Sequence, residues 1–273
     1  MKLEMLVAIL CIAAVNSHAF DIDAGRSFGL GGAVLLSRPS ATDISLCPVA
    51  DMQKGIYYVE AGYQRKFELS DLDRGFFAAA YRFRKASISL GFSHFGRSDY
   101  YIEQVVKFAA AYKLRMVRFF VSTSGKNIEI GDNERHLTLR SLSFGLGTGL
   151  HYERYHAGLV IGNLNQPKLA ENMDGENIIY KLYAEIEGLS RFSMTGHVVL
   201  ERYEKPIISV GQYFYLLNYN AVYWGISSNP LSYGGGLEVA YSGIRLIYAV
   251  SYHPVLGFTH NVTLGYAREL FHD

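Results

Sequence analysis

Three residue groupings in this chain have the composition of chemical sites. His151-Tyr152-Glu153-Arg154-Tyr155-His156 gathers two imidazoles and a carboxylate, without the helical i, i+4 spacing of a zinc-protease motif. On one strand, positions five apart face opposite ways, whereas a hairpin turn through these residues would let the imidazoles approach. Ser193, His197 and Glu201 have the residue types of a nucleophile, a base and an acid. Spaced along one strand, Ser193 and His197 stand roughly 13 Å apart, too far for a nucleophile and its base. Gly29-Leu30-Gly31-Gly32 and Gly145-Leu146-Gly147-Thr148-Gly149 resemble phosphate-cradling loops only in their glycines. Neither run opens a helix inside a strand–helix–strand unit, and glycine inside strands more often marks bends or close backbone approach. No catalytic residue, metal site or cofactor is expected.

The elements that carry these residues read as strands. Ile178, Tyr180, Leu182, Ala184 and Ile186 alternate with Lys181, Tyr183, Glu185 and Glu187. Phe192, Met194, Val198 and Leu200 oppose Ser193, Thr195, His197 and Glu201, with Val199 alone interrupting the polar set. Ser87, Ser89 and Ser93 oppose Ile88, Leu90 and Phe92, and Val262, Leu264 and Tyr266 oppose Asn261, Thr263 and Gly265. A period of two with one apolar and one polar face fits a sheet between lipid and a wet or plugged interior. Gly188-Leu189-Ser190, Lys205-Pro206, Asn218-Tyr219-Asn220, Asn229-Pro230 and Ser242-Gly243 supply hairpin turns between such runs. From Gly55 onward the runs number about 14, each near the roughly 9 to 11 residues of a tilted membrane strand.

The expected fold is therefore all-β, an antiparallel transmembrane barrel of about 14 strands. A soluble sandwich or lipocalin-like barrel is the alternative, though it rarely needs so many strands. Aromatic groups at Tyr57-Tyr58, Phe76-Phe77, Tyr100-Tyr101, Tyr213-Phe214-Tyr215 and Tyr223-Trp224 are expected to form interfacial girdles. Between His136 and Leu150 the apolar phase moves, which implies either a bulge or a strand leaving the membrane near Arg140-Ser141. The lumen-facing candidates are Glu103, Lys107, Lys181, Glu185, Glu187, His197, Glu201, Glu238 and Arg245. Structural ion pairing is the plain reading of this mixed-sign set, and a ligand path the sharper one. Arginine is expected to be tolerated better at Glu185 than at lipid-facing Leu182.

Lys2, the apolar stretch Met5–Val15 and Asn16-Ser17-His18-Ala19 read as a signal peptide cleaved after Ala19, although Glu4 is unusual in such a leader. Leu10 before Cys11 argues against lipidation, and removal of the leader would leave Cys47 without a disulfide partner. The segment 20–54 precedes the barrel, 55–273. Arg38-Pro39-Ser40 and Cys47-Pro48 interrupt it, leaving a short piece from Ser40 to Met52 that reads either as a partial plug or as a disordered extension. A net charge of +1 without a basic run excludes the footprint of a nucleic-acid binder. Beyond the leader no apolar stretch reaches the roughly 18 residues of a helical span.

The runs AGRSFGLGGAV from Ala24, AGLVIGNLNQPKL from Ala157 and YHPVLGFTHNVTLGY from Tyr252 resemble the PorV/PorQ-type outer-membrane family, related to FadL-type transporters of hydrophobic compounds. The resemblance covers nearly the whole mature chain, and the order of the motifs carries it. It implies about 14 strands with the N-terminal segment tucked inside, in the outer membrane of a Gram-negative cell. Cys47-Pro48-Val49-Ala50 stands where the family has an Asn-Pro-Ala-Gly turn, and Leu270-Phe271-His272-Asp273 ends the chain in place of a terminal aromatic. Two functions follow from the resemblance: passage or binding of small hydrophobic compounds, or a non-transporting component of a type IX-like secretion or surface-attachment system. The implied partners are outer-membrane lipid, a small hydrophobic ligand or secretion proteins.

Overall fold

The computed structural model describes residues 24–97, 101–131, 136–170, 173–188, 191–217 and 220–269. The expected leader at 1–19 lies outside them, as do Tyr100 and parts of two turns, Leu189-Ser190 and Asn218-Tyr219. Strands β1 (Ile56–Arg65), β2 (Asp73–Phe83), β3 (Ala86–Arg97), β4 (Tyr101–Leu114), β5 (Val117–Gly131), β6 (His136–Tyr152) and β7 (Tyr155–Gly162) form the first half. The second half is β8 (Ile179–Glu187), β9 (Phe192–Glu201), β10 (Ile207–Leu217), β11 (Asn220–Ser227), β12 (Ser232–Tyr241), β13 (Ile244–His253) and β14 (Gly257–Glu269). Each strand pairs antiparallel with its sequence neighbour, and β1 pairs with β14, so the 14-strand sheet closes without a free edge.

Alternation sets the two faces. Ser87, Ser89 and Ser93 point inward and are buried, while Ile88, Leu90 and Phe92 are exposed on the outside. The same outer face carries Val106, Phe119, Val121, Phe144, Leu182, Leu246 and Leu264. An apolar surface continuous around a closed sheet far exceeds the patches that water-soluble monomers expose, and it matches the lipid-facing belt of a transmembrane barrel. That geometry replaces the soluble alternative, because the apolar faces turn outward instead of into a core.

The aromatic groups do not form girdles as pairs. Tyr58, Phe76, Tyr213 and Tyr223 are buried in the lumen, and Phe77 and Trp224 face out. Adjacent residues of a strand point to opposite faces, so a pair can supply only one girdle member. Nor does β6 carry a bulge: its register with β5 runs unbroken from Gly131 opposite His136 to Val117 opposite Leu150. Leu139 faces inward and Leu142, Phe144 and Leu146 outward within one phase. Arg140, which donates from Nε to Asn127 Oδ1 at 3.1 Å, belongs to the part of the strand beyond the apolar belt.

Short and long connections segregate to opposite ends. Arg84-Lys85, Arg115-Met116, Glu153-Arg154 and Ser242-Gly243 are tight turns at the end where β1 begins, and Arg84, Arg115, Glu153 and Ser242 have positive φ, as primed hairpin turns require. The opposite end carries the longer connections, including residues 66–72 and 163–178.

Candidate functional site

The lumen is where sequence, packing and charge converge, because the N-terminal segment fills it. Two short helices shape this segment, α1 (Arg26–Gly29) and α2 (Ala41–Leu46). Ser40 caps α2 by accepting from the Asp43 amide, while the Asp43 carboxylate accepts from the Ser40 amide at 2.9 Å, a reciprocal capping box. Leu30, Leu35, Leu36, Ala41, Cys47, Val49 and Ala50 have no exposed surface at all. Of the two readings left open for Ser40 to Met52, the structure takes the plug.

Three polar clusters fasten the plug to the wall. In the first, Arg26 Nη2 donates to Asp43 Oδ2 and to the Arg38 carbonyl, each at 2.7 Å, and Nη1 lies 3.6 Å from Glu238. Glu238 in turn accepts from Tyr213 Oη and from Arg245 Nε, both at 2.8 Å. Arg245 lies 3.8 Å from Glu60, whose carboxylate accepts from the Thr42 amide at 2.9 Å and from the Thr42 hydroxyl. Charges this deep are tolerable only when paired, and here each charge of the plug meets an opposite charge of the plug or wall. The second cluster is Glu185, which accepts from the amides of Leu36 and Ser37 and from Ser37 Oγ. Beside it, Thr195 Oγ1 donates to the Val34 carbonyl at 2.7 Å.

The third cluster surrounds Asp51, reached by Lys113 Nζ at 2.6 Å, Arg118 Nη2 at 3.1 Å and Arg82 Nη1 at 3.2 Å. Burial pushes the Asp51 carboxyl upward, but the Lys113 hydrogen bond and the positive charges around it outweigh this, leaving it below its ordinary 3.8. A carboxylate depressed on folding contributes stability fully above its unfolded value and loses it as pH falls through the folded one. Protease protection of the plug should therefore hold from about pH 7 to about pH 5 and fade only in stronger acid. Asp51→Asn should weaken it throughout. Mass spectrometry of clipped N-terminal peptides measures both, and new cleavage between neutral pH and pH 5 would count against Asp51 as an anchor.

Close backbone approach supplies the remaining fit. Gly211, Gly225 and Gly234 stand side by side across β10, β11 and β12. Their missing side chains leave a track in which the backbone of Gly29 and Leu30 lies. A Cβ at Gly225 would collide with the Leu30 carbonyl, and one at Gly211 would come 2.9 Å from Leu30 Cδ2. Gly149 and Gly158, paired between β6 and β7, form a second seat in which a Cβ on either would stand 2.7 Å from Val49.

The chemical groupings resolve accordingly. His151 and His156 are opposed at the β6–β7 hairpin, both inward, with their Nδ1 atoms 3.0 Å apart. His151 Nε2 lies 2.7 Å from the Val49 carbonyl, which can only accept, so Nε2 carries a proton and donates to it. His151 thus binds the plug with His156 against it, and among the described residues no three His, Cys, Asp or Glu side chains cluster for a metal. Ser193 and His197 lie on the inward face of β9 with Thr195 between them, and His197 stacks on Tyr183 with centroids 4.5 Å apart. The structure does not bring the serine and the imidazole together.

All of the lumen-facing candidates occupy inward positions of their strands, with different surroundings. Glu185, Glu238 and Arg245 belong to the plug contacts above, and half-buried Glu187 lies 3.8 Å from exposed Arg38. Glu103 is buried and accepts from Tyr101 Oη at 3.2 Å, while Glu201 accepts from Asn177 at 3.3 Å. Lys107 and Lys181 are half-buried on β4 and β8. Arg26, Asp43, Asp51 and Arg118 escaped the sequence reading. The capping pattern at Ser40 and Asp43 and the repeated glycines were the available signals.

A closed 14-strand antiparallel barrel with its own N-terminal segment packed in the lumen is the class that this geometry defines. No protein-family model and no curated protein sequence matches the chain. Among solved structures, a deletion mutant of TodX, a monoaromatic hydrocarbon channel, matches 91% of this chain and 99% of its own at 9% identity, with a TM-score of 0.67. At that identity the likeness establishes the shared fold. Two engineered forms of the Rh. blastica porin match 78% of this chain and 99% of theirs at 10% identity, with TM-scores of 0.43 and 0.44.

Proposed function

We propose that the protein is an outer-membrane channel for small hydrophobic compounds, resting closed with its N-terminal segment as the stopper. The observation that carries this reading is a lipid-compatible closed barrel whose lumen is filled by a separable segment of the same chain, in a fold shared with a hydrocarbon channel. The segment is held by hydrogen bonds, ion pairs and glycine seats, contacts that can be remade after release. The PorV/PorQ-type and FadL-type resemblance and the leader expected at 1–19 point to the same compartment. One apolar recess of about 200 Å³, lined by Tyr57, Val59, Ala79, Tyr81, Leu90 and Phe108, lies on the outer wall.

Deleting Ser40 to Met52 should raise uptake of a hydrophobic dye into liposomes severalfold over the intact protein, while the heat-modifiable barrel band persists. Should neither form give flux above empty membranes, transport yields to the scaffold role in secretion or surface attachment.

A further inference from the structure

Exposed charge is distributed unequally between the two ends of the barrel. At the tight-turn end Arg84 and Lys85 cap the β2–β3 hairpin, Arg115 the β4–β5 hairpin and Arg154 the β6–β7 hairpin, all exposed. Arg191 before β9, Lys54 before β1 and Arg268 near the end of β14 extend the series. In barrel order these positions run as one arc from β14 through β1 to β9. Against these cations, Glu153 is the one exposed carboxylate at that rim among the residues whose side chains are described, and none of the cations forms a salt bridge with a described residue. Among the described residues the opposite rim is balanced. Exposed Arg65, Arg140, Lys168, Arg202 and Lys205 there are matched by as many exposed carboxylates, and Arg65 is paired with Asp73 at 3.1 Å.

The apolar belt reaches directly to the basic rim. Phe83 precedes Arg84 and is exposed beneath its guanidinium at 5.4 Å, and exposed Leu114 and Met116 flank Arg115. Exposed Tyr152 and Tyr155 bracket the turn that holds Arg154. Each of these cations therefore sits within two residues of an outward side chain that requires acyl chains, which is the depth of lipid phosphates. Cations arranged along a perimeter at that depth suit many separate headgroups better than the single concave face of a protein ligand. Resting on the outer-membrane reading, we infer that this rim binds the anionic headgroups of the leaflet it meets, with phosphatidylglycerol as the representative lipid. Short turns face the periplasm in barrels of this architecture, so the leaflet is the inner one. Such binding would fix the depth and tilt of the barrel by charge at one end only.

The test reconstitutes the full barrel in nanodiscs of equal phosphatidylglycerol and phosphatidylcholine and counts retained lipids by native mass spectrometry. The wild type should retain phosphatidylglycerol severalfold over phosphatidylcholine. Arg84→Gln/Lys85→Gln/Arg115→Gln should lower that ratio by about three- to fivefold per cation until it nears parity. The opposite-rim triple Arg140→Gln/Lys168→Gln/Arg202→Gln should leave it unchanged. Raising salt from about 0.1 M to about 1 M, which shortens the screening length from about 10 Å to about 3 Å, should also reduce the wild-type ratio. An inserted, heat-modifiable wild type without the preference, or equal losses in the two triples, would overturn the headgroup inference alone. Failure to insert into nanodiscs of either lipid would overturn the membrane reading along with it.

Discussion

Glu185→Arg is expected to expel the N-terminal segment from the lumen and leave the barrel wall standing. The carboxylate accepts from two plug amides and a plug hydroxyl at a position 1% exposed. Its replacement would set a buried cation against three donors, and breaking a buried charged contact from one side costs about 3–5 kcal/mol. For the barrel wall the order expected from alternation stands, with arginine tolerated better at Glu185 than at Leu182, and the cost at Glu185 falls on the plug. Lumen-facing positions are permissive when they meet water, but here the plug excludes it. Leu182→Arg, on the outer face of the same strand, acts on a different equilibrium. Leu182 lies mid-strand, where an arginine facing the midplane costs about 2–4 kcal/mol of barrel stability. Denaturant titration of the heat-modifiable form should shift for Leu182→Arg, and protease access to residues 24–54 should rise for Glu185→Arg. Identical profiles for the two variants would sink the assignment of faces.

Gly225→Val should release the plug by shape alone. The added Cβ would occupy the place of the Leu30 backbone, which cannot rotate aside as a side chain can. Overpacking a close-packed site costs about 1–3 kcal/mol even where neighbours relax, so a backbone collision belongs at or beyond the upper limit. On the outer side of β11 nothing changes, and strand pairing on either side of Gly225 tolerates a β-branched residue. Gly225→Val should consequently match the Ser40 to Met52 deletion in dye flux while keeping the full-length chain. A folded variant with the N-terminal segment still protected would show that the glycine track does not seat the plug. Val at Gly75, where an added Cβ meets nothing within 4 Å, is the matched control.

Much of the barrel was legible without coordinates because its signal is local. The alternation at Ile178–Glu187 and Phe192–Glu201 assigns each residue to a face by covalent geometry, whichever strands lie alongside. Turn residues such as Ser242-Gly243 delimit the hairpins on the same basis, which is why the strand count and the start of the first strand near Gly55 could be read from the chain. The paired histidines at 151 and 156 were readable only conditionally, since their approach depended on a turn between them.

The plug's contacts were decided by tertiary structure. Arg26 meets Asp43 and Glu238, and Leu36 meets Glu185, across separations in sequence that no periodicity encodes. The glycines at 211, 225 and 234 form a track only because the register of β10, β11 and β12 aligns them. Likewise, Tyr58, Tyr213 and Tyr223 became lumen packing instead of girdle, because the space they enter is already occupied by Leu30, Ala41 and Ile44 and their neighbours. Sequence by itself determined the wall, since a strand's faces follow from its own backbone. Only the closed barrel decided what fills it, since a buried charge or a missing Cβ acquires meaning from the group that arrives opposite.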